Sequence, residues 1–219
     1  MVNNATNPNW CVLREAWFGR TFIGGIIDSR SLHQAINALR REGQVILNIG
    51  AKYSALFPQC PTEELPRLEF YGPVTGNSRF TTLLQAMPHG CEVCRVNERV
   101  ISRCLWYNAL TDVFGSDDRF LKESLGFCLK QSDEILSEAH AFFWGNGQVE
   151  IGTITREKYR GLGYATITCA HLIQACEERG YQTYWGCDMD NLASAAVARK
   201  LSYPYRGQYT LIVYKAQNH

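Results

Sequence analysis

No stretch of this chain is apolar for the 18 or so residues that a helix needs to cross a bilayer. Charge of one sign is not in excess either: 22 Lys and Arg against 21 Asp and Glu leave a net +1. A field suited to nucleic acid or to an anionic membrane surface is therefore not expected. The opening residues MVNNATNPNW carry no basic segment followed by an apolar run, so the sequence reads as a cytoplasmic protein without a secretory leader. Paired metal-ligand spacings are missing. Cys91-Glu-Val-Cys94 stands alone, and His33, His89, His140, His171 and His219 are scattered, so no metal is expected. The nine cysteines are odd in number and unevenly spaced; in a reducing compartment they serve as small core residues. There is no internal repeat, no low-complexity tract and no GxxxxGK[ST] phosphate loop.

What is present is ample core material. Of 219 residues 46% are hydrophobic, enough for one large domain or a core domain with a companion. Asp28 and Ser29 can cap a helix whose apolar stripe is Leu32, Ala35, Ile36 and Leu39, with Gly43 as a stop. QVILNIG and RLEFYGP read as strands, PQCPTEELPR as a polar link, GNSRF and MPHG as loops. A boundary near residue 88 gives a small α/β extension over 1–88 and a larger domain over 89–219.

The larger part is more regular. CEVCRV, GFCLKQ, EILSEAHAFFW and QVEIGTIT are strand candidates, and Gly145-Asn146-Gly147 is a hairpin signal. A helix is expected from Glu98 to Val113, and a second one is capped by Ser116. After QVEIGTIT comes a helix with Ala165, Cys169, Leu172, Ile173 and Cys176 on one stripe and Gly180 behind it. YQTYWGCD, an alanine-rich helix from Asn191 and QYTLIVYK close the chain. This order describes a mixed sheet with helices packed on it.

The segment EKYRGLGYAT joins a strand to the mouth of a helix. The first turn of a helix has backbone N–H groups without internal partners and a partial positive charge. Gly161 and Gly163 permit left-handed backbone and leave room for a ligand, and Arg160 and Lys158 add charge. The segment suits a phosphate or pyrophosphate, or it is a glycine-softened turn with solvated cations. A dinucleotide fingerprint would need GxGxxG, which GLGYAT does not supply.

Arg160-Gly-Leu-Gly163-Tyr-Ala165 resembles the R/Q-x-x-G-x-G/A signature of the GNAT superfamily of N-acetyltransferases. Asn191-Leu-Ala-Ser194 with Arg199-Lys200-Leu-Ser-Tyr203 resembles that family's second element, and the likeness covers Cys91 to Lys215. VEIGTIT, YRGLGYAT and WGCD together are similar to a bacterial subgroup that includes zwittermicin-resistance acetyltransferases. The resemblance implies an α+β fold with a mixed, mostly antiparallel sheet flanked by helices. It implies acetyl-CoA held by Arg160, Gly161, Leu162, Gly163, Tyr164 and Ala165, with Ile154 and Thr155 at the pantetheine arm. Asn191 and Ser194 would assist, although Asn191 also suits a plain helix cap.

Transfer to an amine requires a base, because a free ammonium is protonated at neutral pH. Glu150 is the leading candidate, placed by strand alternation opposite Val149 and Ile151; Glu138 is the rival. The competing reading of each is a solvated or salt-bridged strand residue. Trp185 and Asp188 are candidates for the acceptor side, against core packing and loop capping. The tyrosine that many family members use to protonate the leaving thiolate is matched here by Ala198. The expected activity is direct acetyl transfer to a small-molecule primary amine, by a monomer or homodimer, with no nucleic acid or membrane partner. A non-catalytic acyl-CoA-binding or sensory module and a peptide acetyltransferase are the alternatives.

Overall fold

The computed structural model describes residues 1–15, 19–48, 63–73 and 75–217. The end of the predicted QVILNIG run and the proline-bearing stretch at 58–62 lie outside the described residues. The chain divides into two compact units, Met1–Arg67 with Gln208–His219, and Leu68–Gly207. The boundary expected at residue 88 falls inside the second unit.

In the first unit β1 (Trp10–Arg14) and β2 (Arg20–Gly25) form an antiparallel ladder. Helix α1 (Ser29–Arg40) follows, and the carboxylate of Asp28 accepts from the Ser31 amide at 2.8 Å. Such a cap is worth about 1 kcal/mol. Its buried stripe is Leu32, Ala35, Ile36 and Leu39, as the periodicity predicts. It packs with Val45 and Leu47 of β3 (Val45–Asn48) and with Tyr214. β3 runs parallel to β2, and the end of β10 (Tyr205–Tyr214) pairs with it antiparallel. β1 and β2 have no counterpart in the sequence reading, because WCVLR and RTFIGG alternate weakly.

The second unit takes up the chain within β4 (Glu63–Tyr71). Helix α2 (Ser78–Gln85) comes next, capped by Asn77, which accepts from the Phe80 amide at 2.9 Å. GNSRF was expected to be a loop; burial of Phe80 and the Asn77 cap make it a helix start. β5 (Glu92–Arg95) follows. The helix expected over 98–113 is broken instead. A single 3-10 turn at Ile101–Arg103 precedes α3 (Tyr107–Phe114). The break at Leu105 and Trp106 turns their amides toward the buried carboxylate of Glu138.

Helix α4 (Asp117–Glu123) begins at the predicted Ser116 cap. β6 (Gly126–Gln131), β7 (Glu134–Gly145) and β8 (Gln148–Thr155) are antiparallel neighbours. The β7–β8 turn sets Asn146 and Gly147 at φ +50° and +72°, the backbone that favours Asn-Gly in two-residue hairpins. Then come α5 (Tyr164–Glu177), β9 (Gln182–Asp188) and α6 (Leu192–Lys200). Strand order in this unit is β4-β9-β8-β7-β6-β5, with β8 and β9 parallel.

Each face of the sheet has its own core. Cys169, Leu172, Ile173 and Cys176 of α5 pack on Ala139, Ala141, Val149, Ile151 and Trp185. On the other face Leu110, Phe114 and Phe120 pack with Ile101, Cys128 and Ile135. Among the described residues no helix is long and apolar enough to cross a membrane.

Candidate functional site

The site begins where β8 leaves β9. The two strands pair over three rungs only, Gln148 with Gln182, Val149 with Thr183 and Glu150 with Tyr184. Beyond Glu150, β8 keeps its other neighbour, β7, out to the rung of Thr155 with Ser137. The divergence coincides with an irregularity in β7. Ala141 faces Ile151 and Trp144 faces Val149, so Phe142 and Phe143 both lie opposite Glu150. An extra residue of this kind bends a strand and sharpens its twist.

The gap opens into a cleft of about 510 Å³. Thr153, Ile154 and Thr155 line it from β8, Arg160, Gly161, Gly163, Tyr164 and Ala165 from the loop and α5, and Asn191, Ser194 and Lys200 from α6. Nine of the ten residues expected at a nucleotide thioester thus share one cavity. Leu162 is the exception; it is 59% exposed and lies outside the lining.

Gly161 and Gly163 stand at φ +83° and +85°, and a Cβ on either would meet nothing within 4 Å. Glycine is needed there for the backbone, and the space above it is open. Gly163 is also the cap of α5, with no side chain bonded to the first-turn amides. These donors and the dipole behind them face the cleft, as an anion site requires.

The cations divide. Arg160 is exposed and holds the Thr155 carbonyl only loosely, at 3.4 Å. Lys158 pairs with Glu134 at 2.9 Å, which raises the lysine's pKa and lowers that of the carboxylate. It is not turned to the cleft. A second opening of about 680 Å³ lies at the same end of β8, lined by Leu105, Ile154, Thr155, Arg156, Glu157, Lys158 and Arg160.

Asn191 caps α6 by accepting from the Ser194 amide at 3.0 Å, and it also lines the cleft. Capping and ligand contact are compatible. The Ser194 hydroxyl accepts from the Trp185 indole at 3.0 Å. Trp185 itself is 2% exposed and packs on Tyr203. The core holds it, and it lines neither opening. Asp188 is exposed at the end of β9, away from the cleft lining.

The two carboxylates differ sharply. Glu138 is fully buried and accepts from the amides of Leu105 at 2.6 Å and Trp106 at 2.8 Å. His140 Nε2 lies 3.2 Å from the same carboxylate. This geometry makes Glu138 an anchor for the turn before α3. Glu150 is 8% exposed, and its Oε2 accepts from the Tyr184 hydroxyl at 3.2 Å. It sits on the last rung before the strands part.

Ala198 is buried in the core and offers no acid. Tyr203 does not replace it: its hydroxyl is shared with Thr183 at 2.6 Å, and burial pushes its pKa well up. Among the described residues only Cys104, Cys128 and Glu138 come together as metal-type ligands. Both Glu138 oxygens already accept amides, and three ligands fall short of a closed zinc site. Sequence reasoning missed Tyr159, Thr153, Thr166 and Lys200 in the cleft wall and Leu105 in the second opening. The tetrapeptide EKYR and the closing RK of α6 carried the only hint.

The comparisons with known proteins agree with this geometry. A family model described as GNAT acetyltransferase matches residues 1–212. The chain is 31% identical over 127 residues to the Uncharacterized N-acetyltransferase YdfB of Bacillus subtilis (strain 168), over 57% of this chain and 49% of that protein. It thus spans about half the length of that curated relative. Among solved structures, a GCN5-related N-acetyltransferase-like protein from Streptococcus suis 89/1591 superposes with a TM-score of 0.72 at 22% identity, over 98% of this chain and 87% of the other. A putative acetyltransferase from the GNAT family from Novosphingobium aromaticivorans DSM 12444 gives 0.64 at 14% identity, over 98% and 91%.

Proposed function

The chain belongs to the GNAT acetyltransferase family, and from that premise we propose that it moves an acetyl group from acetyl-CoA to a primary amine of a small molecule, by direct attack in a ternary complex. The observation that carries this reading is the parting of β8 from β9 just past the Glu150–Tyr184 rung, with the gap leading to the uncapped start of α5.

The residues fit acetyl-CoA, which supplies the acetyl group as an activated thioester. The amides around Gly163 receive the diphosphate, with Arg160 and Lys200 adding charge. Ile154 and Thr155, beyond the fork, offer backbone groups to the pantetheine arm. An N–H there, aimed at the thioester oxygen, stabilises the negative charge that grows on it as the amine attacks. Glu150 accepts the proton that the attacking nitrogen loses. The C–S bond breaks and water protonates the thiolate, since Ala198 and the engaged Tyr203 provide no acid. The acceptor enters on the Glu150 face, opposite α5. The enzyme acts in the cytoplasm as a monomer or homodimer.

One observation favours a second reading, a module that binds acyl-CoA without turning it over: the buried Ala198 where many relatives carry a tyrosine acid. Thiol release from acetyl-CoA across a panel of small amines, beside calorimetry with CoA, separates the two. Binding with amine-dependent thiol release supports the enzyme, and binding alone supports the module. No heat on mixing with CoA would remove both. In the Glu150→Gln protein kcat drops by about 100-fold or more, the usual scale for a general base, while CoA affinity is kept.

A further inference from the structure

We infer that Tyr184 is a positioning residue for Glu150, holding its carboxylate at the fork where the attacking amine must give up a proton. The inference rests on the reading of Glu150 as the base. The two residues are partners on the final β8–β9 rung, and the phenol donates to Oε2 at 3.2 Å. A catalytic hydrogen bond of that length in an unliganded site tightens when the reactants close the space.

The surroundings leave the phenol little freedom. Its ring stacks on Tyr71, with centroids 5.8 Å apart and planes 21° from parallel. The Arg206 guanidinium lies over the Tyr71 ring, 4.4 Å from its centroid. Such a stack favours one placement of the ring, with its hydroxyl toward Glu150. Two residues further along β8, a Cβ at Gly152 would lie 2.6 Å from the Phe142 ring and 3.0 Å from Trp106. Glu150 and Gly152 share one face of β8 by strand alternation, and the Tyr184 phenol donates to the Glu150 carboxylate.

Such positioning matters because proton capture depends on the distance between oxygen and nitrogen at the moment of attack. The proton passes from the amine nitrogen to a Glu150 oxygen; Tyr184 keeps its own proton throughout and serves only to fix the acceptor atom.

The test is a double-mutant cycle of Tyr184→Phe and Glu150→Gln, with acetyl-CoA and benzylamine as probes and thiol release as readout. Phenylalanine keeps the stack on Tyr71, and CoA affinity measured by calorimetry checks that the fold and cleft are intact. Tyr184→Phe lowers kcat about tenfold, the scale of one lost hydrogen bond to a charged group, with CoA affinity unchanged. In the Glu150→Gln background the same substitution changes the residual rate less than twofold, because the group it positions is gone. Equal losses in both backgrounds overturn the inference and make Tyr184 a packing residue. Full activity in Tyr184→Phe overturns it as well. Full activity in Glu150→Gln is a different failure, that of the base itself.

Discussion

At the residue scale, Glu138 and Glu150 show how two carboxylates on neighbouring strands of one sheet are given different tasks. Glu138 faces inward over the turn before α3, and the Leu105 and Trp106 amides depend on it. Removing a buried acceptor strands its donors, which costs about 1–3 kcal/mol for each one left unmet. Glu138→Ala should therefore lower unfolding free energy by about 3 kcal/mol in urea titration. A change below 1 kcal/mol would show that the turn does not need its anchor. His171 makes a second point about burial. It is stacked on Phe127, with Nε2 buried and unpartnered, and burial lowers its pKa below the usual 6.5. The folded protein then binds this proton less readily than the unfolded chain. Stability from the neutral ring is complete above 6.5 and is lost as pH falls through the lowered value. Replacing His171 with Leu should flatten the fall in stability between pH 7 and pH 5, followed by thermal melts; an unchanged slope would assign it to other groups.

At the element scale, the legible parts of the sequence were those whose signals are local. The Asp28 and Ser116 caps and the Asn-Gly hairpin depend on residues a few positions apart and occur where expected, and of the α5 stripe Cys169, Leu172, Ile173 and Cys176 are buried while Ala165 is half-buried at the cleft. The helix over 98–113 failed because what breaks it, Glu138, lies more than thirty residues away. Trp185 kept two readings open for a related reason: strand alternation gives two faces, and only the packing of α5 and α6 decides which one is core. The mouth of α5 is the element on which the proposed function turns. Gly163→Ala puts a Cβ at φ +85° and into the open space of the cleft. Left-handed backbone costs a non-glycine residue about 1–2 kcal/mol. The expected result is a melting loss of that size with CoA affinity weakened about tenfold or more, a scale of about 1.4 kcal/mol. Asn191→Ala should cost about 1 kcal/mol through the lost α6 cap. If CoA affinity is the same as wild type in the Gly163 protein, the diphosphate is not held there.

At the scale of the whole molecule, the site was largely legible and its frame was not. Nine residues drawn from the sequence signatures line one cleft, because a glycine-bearing loop at a helix mouth is written in contiguous residues. The division of the chain was hidden, because the first unit borrows the end of β10 from the far terminus. No local pattern announces a pairing of Val45 with Tyr214. The cleft lies wholly within Leu68–Gly207, and so do Cys169 and Cys176, both on the buried side of α5. Burial pushes each of these thiols up to about 12, so neither supplies thiolate at neutral pH while the fold is closed. Cys11 is exposed. An alkylating reagent at pH 7.5 should modify Cys11 first and reach Cys169 and Cys176 only through opening of the second unit. A ligand that binds the closed form alone suppresses that opening by the factor 1 + [L]/Kd. CoA at one hundred times its Kd should therefore slow labelling of Cys169 and Cys176 about a hundredfold in mild denaturant. Peptide mass analysis reads each thiol separately, and equal rates for these two with and without CoA would mean that the nucleotide does not bind the fold that encloses them.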